Sequence, residues 1–435
     1  MSTFPVFPLE TPAMRPLEIM PIQHQGRPRF LVHDPMQVME GVAALPPDPI
    51  VMMILQMADG QTTVEEIAAA AREATGMIIT ADRVRTAVAE LDKALLFFSD
   101  RFAQAWEARK DGYKKLEKRP FRSIDSKDRL KMLKDLGDEL RRHRMARTSP
   151  PERLPLDGSV RAVLAPHIDY QRGGPVYAWA YQALAEKTRA KTFIVLGTLH
   201  RPASHLFIAT DKTFETPLGD VEVDHALLDE LKNEYGGELF EEEHQHRDEH
   251  TIELQALYLK HALKDRPFKI VPILVSSFEE LLHAPEKVQP DEIDEIADFA
   301  KALRTILERH GEDVVLVGGV DFAHCGPEFG DEQPNTPDVE KEIRDLDQQM
   351  LKAIEALDAN AFFDTFRTEE PNDRKVCSIS AIYTVLKALE GGKLAGKTLQ
   401  YDQANNPERT CMVTFASVAF TAKQAERPKI ILASR

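Results

Sequence analysis

Two histidines follow apolar segments of the kind that form buried strands, and a histidine at such a position is a candidate metal ligand. His167 comes after residues 160–165, and His200 comes after residues 191–196. Neutral imidazole is the commonest protein ligand of zinc, copper and iron, and two histidines need one or two further ligands. For either histidine alone, a polar side chain that hydrogen-bonds within the fold is the alternative.

A third apolar segment, residues 313–318, leads to Asp321 and His324. We expect these two residues to form an orienting pair or an acid/base pair, in which the carboxylate fixes the imidazole tautomer. His250 and Glu253 stand three residues apart on an apparent helix and therefore share a face. Their spacing is not HExxH, so a surface pair is the alternative. His244 and His246 lie in an acidic run and are expected on a solvated face.

Cys377 stands just before residues 381–389, an apolar stretch with helical spacing. A cysteine near a helix amino terminus favours the thiolate, the form that binds metals or attacks as a nucleophile. A small buried apolar role is the alternative. The chain has three cysteines and no CxxC pair, which excludes a disulfide framework and favours a reducing compartment.

The elements that must position these side chains alternate between strands and helices. The predicted strands are residues 160–165, 191–196, 268–275 and 313–318, and the predicted helices include residues 175–186 and 381–389. This order predicts an α/β fold whose mainly parallel or mixed sheet carries helices on both faces. Ligands of such sheets bind beyond the carboxyl ends of the strands, where His167, His200 and Asp321 are expected.

Three regions are predicted along the chain. Residues 1–102 contain three helices and short strands in a winged-helix-like order, with Thr62 or Thr63 as a helix N-cap. Residues 103–158 read as a charged helical linker, with helical spacing over residues 126–142 and a proline-rich stretch after it. Residues 159–435 form the α/β domain.

Composition narrows the function classes. A net charge of −16 argues against a general nucleic-acid binder, which usually carries a basic face. No apolar run reaches the roughly 18–20 residues that cross a bilayer, and the amino terminus lacks the pattern of a signal peptide. We therefore expect a cytoplasmic protein that does not bind membranes.

Six motifs occur in order over about 260 residues, and together they resemble the Memo family, including the proteins called AmmeMemoRadiSam system protein B. They are Ala165-Pro166-His167-Ile168-Asp169-Tyr170, Leu196-Gly197-Thr198-Leu199-His200, Thr216-Pro217-Leu218-Gly219, Glu249-His250-Thr251-Ile252-Glu253, Val271-Pro272-Ile273-Leu274-Val275 and Asp321-Phe322-Ala323-His324-Cys325-Gly326. The family fold is similar to the catalytic subunits of class III extradiol dioxygenases. Residues 58–67 resemble PqqD-like modules, which bind peptides.

The resemblance implies a metal site and a set of site residues. Carried over by motif, His167, His200 and Cys377 would bind copper or iron. Asp321 with His324 would form a second pair lining the pocket, and His250 with Glu253 would match the EHxxE segment of the family. We expect these four residues to take the catalytic roles.

Three functions follow from these expectations. The first is a copper- or iron-dependent oxidoreductase of the dioxygenase-like kind, acting on a small molecule or a peptide. The second is a non-catalytic adaptor for peptides that works beside radical SAM proteins, as the resemblance suggests. The third is a zinc hydrolase, because zinc also accepts two histidines and a cysteine with one position left open.

Overall fold

A computed structural model describes residues 4–24, 26–39, 43–122, 153–154, 156–368 and 370–422. The chain divides into two compact units, Met1–Lys115 and Leu116–Arg435. The helix that ends at Lys114 belongs to the first unit. The three predicted regions, with boundaries at residues 102 and 158, stay a prediction, and the helix predicted over residues 126–142 lies outside the described residues.

The described residues of the first unit form a small antiparallel sheet and four helices. The strands are β1 (Glu18–His24), β2 (Arg27–His33) and β3 (Ala43–Leu45), in that order across the sheet, and the helices are α1 (Pro49–Met57), α2 (Val64–Thr75), α3 (Ala81–Lys93) and α4 (Asp100–Lys114). Thr63 caps α2 in a capping box with Glu66, as its position before the apolar run predicts. The three predicted helices are therefore present, while the PqqD-like resemblance stays a prediction.

The second unit is an α/β domain. Its strands are β4 (Lys118–Arg119), β5 (Val160–Ala165), β6 (Thr192–Thr198), β7 (Phe207–Ala209), β8 (Thr213–Phe214), β9 (Lys269–Val275), β10 (Val314–Gly319), β11 (His324–Cys325), β12 (Leu394–Asn405) and β13 (Met412–Ala422). Its helices are α5 (Tyr170–Lys187), α6 (His225–Tyr235), α7 (Thr251–Leu263), α8 (Asp294–His310), α9 (Pro337–Ala356), α10 (Ala359–Asp364) and α11 (Ile379–Leu389).

The main sheet has a parallel centre and antiparallel edges. Its strand order is β11-β13-β5-β10-β6-β9-β7, with β12 paired to β13. The four central strands, β5, β10, β6 and β9, are parallel, whereas β13 and β7 run antiparallel to their neighbours β5 and β9. The predicted α/β class with a mainly parallel or mixed sheet is confirmed.

Alternate residues of the central strands supply two separate cores. Ile194 and Leu196 of β6 pack in a core with α6, α8, α9, α10 and α11. Phe193 and Val195 of the same strand pack in the other core, with α5 and α7. Because successive side chains of a strand point to opposite faces, one continuous apolar strand serves both layers of helices.

The carboxyl ends of the central strands meet at one edge of the sheet. His167 follows β5, His200 follows β6 and Asp321 follows β10. Cys377 lies two residues before α11, and His250 is the N-cap residue of α7. The fold therefore delivers the sequence-predicted residues to the edge where α/β sheets bind ligands.

Candidate metal centre

Three donor side chains meet beyond the ends of β5 and β6. One ligand atom each from His167, His200 and Cys377 lies within 4.8 Å of the other two. The Sγ atom of Cys377 is 3.4 Å from Nε2 of His167, and the two imidazole rings are 5.0 Å apart between centroids. We call these three residues the ligand cluster. The structure thus brings together the residues that the family resemblance assigned as ligands.

Two buried hydroxyl groups and a backbone N–H fix the position of Cys377 in the ligand cluster. The Oγ atom of Ser378 lies 3.3 Å from Sγ of Cys377. Ser378 is fully buried, and its Oγ accepts hydrogen bonds from the Thr198 hydroxyl (2.9 Å) and from the backbone N–H of Asp321 (3.0 Å). Cys377 is therefore tied to the ends of two parallel strands.

His167 is held in a defined tautomer. Its Nδ1–H donates to the Gly319 carbonyl at 3.0 Å, which leaves Nε2 as the acceptor that faces Cys377. The side chain is 3% exposed. Burial, together with positive charge on His200 and His250, holds the pKa of His167 well below its usual value. A neutral imidazole with a free Nε2 lone pair is the form that binds metals.

His200 is oriented by a buried carboxylate. Nδ1 of His200 lies 3.2 Å from Oε1 of Glu249, and the backbone N–H of His200 donates to Oε2 at 3.0 Å. Burial would raise the pKa of Glu249, but the charge and hydrogen bond of His200, with those of His250, hold it well below its usual value. Burial lowers the pKa of His200, and the Glu249 charge overcomes this and raises that pKa well above its usual value. Glu249 thus engages Nδ1, so that a metal would bind His200 at Nε2 by displacing the proton there.

His250 completes a second group of donors with His200 and Glu249. Its ring stacks on that of His200, 5.3 Å away and tilted by 10°, and its Nδ1 is 3.1 Å from Oε1 of Glu249. The His200 and His250 side chains are 35% and 44% exposed, so the cluster opens to solvent on their side. The role of Glu249 was not predicted, because the sequence shows only an acidic residue beside His250 and does not reveal its burial.

The expected pairing of Asp321 with His324 is wrong. Asp321 instead contacts His167, whose backbone N–H donates to Oδ1 at 2.9 Å and whose Nε2 is 3.5 Å from Oδ2. Nδ1 of His324 lies 3.1 Å and 3.2 Å from the carbonyls of Phe322 and Lys375. His324 begins β11, which pairs with β13, and its imidazole lies against these backbone carbonyls.

Burial sets the charge of both residues of this segment. It raises the pKa of Asp321 to about 7, against the backbone hydrogen bonds that lower it. It lowers the pKa of His324 to about 4, and positive charge on His200 lowers that pKa further. His324 is consequently neutral near pH 7, with Nδ1–H directed to carbonyls and Nε2 left as an acceptor.

Glu253 was expected to act beside His250, but it is engaged elsewhere. Its fully buried carboxylate forms an ion pair with Arg119, and the backbone N–H of Arg122 donates to Oε2 at 2.9 Å. His244 and His246, expected on a solvated face, are 4% and 1% exposed. Burial lowers the pKa of His246 to about 3, and its Nε2 contacts the Ile208 carbonyl at 2.8 Å.

The donor set fits a metal of intermediate or soft character. The imidazoles of His167 and His200 and the thiol of Cys377 lie close together. In each imidazole Nδ1 is hydrogen-bonded, to the Gly319 carbonyl in His167 and to the Glu249 carboxylate in His200. Such outer hydrogen bonds are typical of metal-binding histidines. Thiolate and imidazole suit copper, iron and zinc better than magnesium or calcium.

The fold and the ligand cluster define an α/β protein with a candidate mononuclear metal pocket. The chain belongs to the Memo family, because the family model described as Memo-like protein matches residues 134–419. A MEMO1 family protein of Aquifex aeolicus is 23% identical over 90% of this chain and 96% of its own length. The protein memo-1 homolog of Caenorhabditis elegans is 27% identical over 58% of this chain and 69% of its own. A MEMO1 family protein of Aeropyrum pernix is 30% identical over 57% of this chain and 78% of its own. The predicted family is confirmed.

Proposed function

We propose that this protein is a metal-dependent oxidoreductase whose ligand cluster binds one copper or iron ion. The observation that supports the proposal is the meeting of His167, His200 and Cys377 within 4.8 Å of one another at the carboxyl edge of the sheet. A bound copper or iron ion would supply electron exchange and Lewis acidity at this place.

The chain's own residues take three roles in this proposal. Glu249 holds His200 in the tautomer that presents Nε2, and the Gly319 carbonyl does the same for His167. Ser378 fixes the position of Cys377. His324, neutral near pH 7, accepts or returns a proton through Nε2 while carbonyls hold its Nδ1–H. His250 lies on the solvent side, where a small molecule or a peptide would enter.

The metal content of the purified chain tests this proposal. The protein would be purified without oxygen or added metal and measured by elemental mass spectrometry, beside His167→Ala and Cys377→Ser. We expect close to one copper or iron ion per chain in the wild type and loss of most of this metal in both variants. Two ions per chain would instead indicate that Glu249 and His250 hold a second ion beside His200, the residue that both donor groups share.

Matched variants separate loss of a ligand from loss of the fold. Cys325→Ala removes a buried thiol, and His310→Gln removes an imidazole that pairs with Glu230 on α6. Both should keep the metal. Wild-type protein that stays free of metal after copper and iron are supplied would contradict the proposal and would favour the peptide adaptor.

A zinc hydrolase is the second candidate. Two histidines and a cysteine also suit zinc, and the neighbouring group of His200, Glu249 and His250 offers nitrogen and oxygen donors of the kind zinc accepts. Stoichiometric zinc with no redox activity would move the assignment to hydrolysis.

The partners of the site also remain proposals. A radical SAM protein is the partner that the family resemblance suggests. Among the described residues, no helix is long and apolar enough to cross a membrane.

A further inference from the structure

A buried arginine from outside the family-matched residues contacts the loop that carries Glu249. Arg119 lies in β4, ahead of residues 134–419, and is fully buried. Its Nε–H donates to the His246 carbonyl at 2.9 Å, and its Nη2–H donates to the Glu249 carbonyl at 2.8 Å. The same guanidinium pairs with Glu253 on α7. One side chain thus contacts His246 and Glu249, which precede α7, and Glu253, which lies in its first turn.

Residues 118–122, which we call the strap, are anchored on both sides of this contact. β4 pairs in parallel with β8, and the Arg119 carbonyl accepts the Glu215 N–H at 2.9 Å. On the other side, the Arg122 guanidinium lies 2.9 Å from Oδ1 of Asp248. The Arg122 backbone N–H donates to Glu253. The strap therefore contacts residues 246–253 through backbone and side chains together.

The contact needs an arginine for geometric reasons. The His246 carbonyl lies near the end of a short 3₁₀ helix, Glu243–Arg247, and the Glu249 carbonyl lies just before α7. Buried backbone groups at such places must find partners outside a helix or sheet ladder. A guanidinium presents several N–H donors in a fixed plane and can serve two carbonyls and a carboxylate at once. A lysine keeps the charge but cannot hold the same set of acceptors.

We infer that Arg119 is a positioning residue of the metal pocket, which it serves by fixing the backbone of residues 246–249. This inference rests on the proposed function. With its backbone held, Glu249 keeps its carboxylate against Nδ1 and the backbone N–H of His200. Release of the Glu249 carbonyl lets the carboxylate leave His200, and the His200 ring then loses its fixed orientation. The strap thus acts on His200 through the loop that carries Glu249.

The test compares Arg119→Lys with wild type in the full chain. Copper(I) affinity is measured by competition with a chelator, and hydrogen exchange of residues 243–254 is followed by mass spectrometry in metal-free protein. We expect copper(I) binding to weaken by about tenfold, in the range seen when outer hydrogen bonds of metal ligands are removed. Exchange should be faster in residues 246–251 and unchanged in the central strands.

Two control variants show whether the effect is specific. Lys118→Met changes an exposed residue of the same strap, which pairs with Asp220 at the surface, and should alter neither readout. Leu231→Ala opens a cavity in the core below α6 and lowers stability at a distance from the pocket, with copper(I) affinity retained. An equal loss of affinity in Leu231→Ala would show that stability alone is responsible and would overturn the inference.

The remaining outcomes separate this inference from the proposed function. Unchanged affinity and exchange in Arg119→Lys would overturn the inference and leave the metal site standing. A wild-type chain that binds neither copper(I) nor iron(II) would end the proposed function, and hydrogen exchange alone would then decide whether Arg119 holds the loop. If Arg119→Lys does not fold, Arg119→Met combined with Glu253→Gln removes both buried charges together and is measured in the same way.

Discussion

At the scale of single residues, the site depends on which imidazole nitrogen carries the proton. A carbonyl holds Nδ1–H of His167, and the Glu249 carboxylate holds Nδ1 of His200. Both rings therefore present Nε2 towards one point. Glu249 also accepts the backbone N–H of His250 at 2.9 Å, so that one carboxylate organises both the ligand and the start of α7.

Glu249→Gln tests the role of the carboxylate charge. The amide keeps an acceptor beside His200 but removes the negative charge that raises the pKa of this histidine. We expect metal affinity to fall by about 10- to 100-fold with the fold intact, measured by chelator competition. Glu243→Gln is the matched control, because Glu243 is a buried carboxylate bonded to Thr210. Equal affinity in both variants would contradict the role of Glu249.

The buried imidazole of His246 predicts a dependence of stability on pH. Its pKa is about 3 in the folded state because burial disfavours the charged ring, whereas the unfolded value is near 6.5. The stability from its neutral form is complete above pH 6.5 and is lost as pH falls towards 3. At pH 5 the unfolded chain binds a proton at His246 and the folded chain does not, which lowers the unfolding free energy by about 2 kcal/mol.

His246→Gln isolates this effect, since glutamine can still donate to the Ile208 carbonyl but does not titrate. Urea unfolding would be followed by the fluorescence of Trp179 in a Trp106→Phe background, because the chain has two tryptophans, one in each unit. The wild type should lose more stability than His246→Gln between pH 7 and pH 5. Equal losses of unfolding free energy in the wild type and in His246→Gln would show that the folded protein does not lower the pKa of His246, and would contradict this prediction.

At the scale of elements, the close packing of β6 against α7 sets the position of His250. A Cβ atom on Gly197 would lie 2.5 Å from Oγ1 of Thr251 and 2.5 Å from Cγ1 of Ile252. The Thr251 hydroxyl also donates to the Thr198 carbonyl at 2.9 Å. The glycine thus lets the first turn of α7 rest on the end of the strand.

Gly197→Ala should push the first turn of α7 away from the strand. We expect the unfolding free energy of the second unit to fall by about 1–3 kcal/mol, as overpacking usually costs, and metal affinity to fall with it. Gly112→Ala is the control, because Gly112 lies in α4 with open space around it and should gain about 0.5–1 kcal/mol. Urea unfolding that is unchanged in Gly197→Ala would show that the contact does not constrain the helix.

The sequence predicted best those elements whose own residues show a clear apolar pattern. The strands β5, β6, β9 and β10 were predicted to within two residues, because buried parallel strands are continuous apolar runs. β12 was not predicted, because its side chains are only partly buried and show no alternation of apolar and polar residues. β13, the apolar run that pairs with it, was not predicted either.

Contacts between distant residues account for the errors at the site. His244 and His246 looked exposed because their neighbours are acidic, yet they are buried in a loop that Arg119 holds from 127 positions away. Glu249 and Glu253 could not be told apart by spacing. Their roles depend on which one faces Arg119 and which one faces His200.

At the scale of the whole molecule, the chain has two units, each with its own hydrophobic core. The candidate metal centre lies entirely within the second unit, and so does the strap, which precedes the family-matched residues. All three proposed ligands therefore come from the second unit, and the function of the first unit remains a prediction of peptide binding.

X-ray absorption spectroscopy of the metal-loaded chain tests the central claim most directly. It reports which atoms surround the ion, whatever reaction the protein performs. We predict one sulfur donor at roughly 2.3 Å and two imidazole nitrogens at roughly 2.0 Å, with the sulfur lost in Cys377→Ser. A wild-type spectrum with nitrogen and oxygen donors and no sulfur would contradict the assignment of His167, His200 and Cys377 as the ligands.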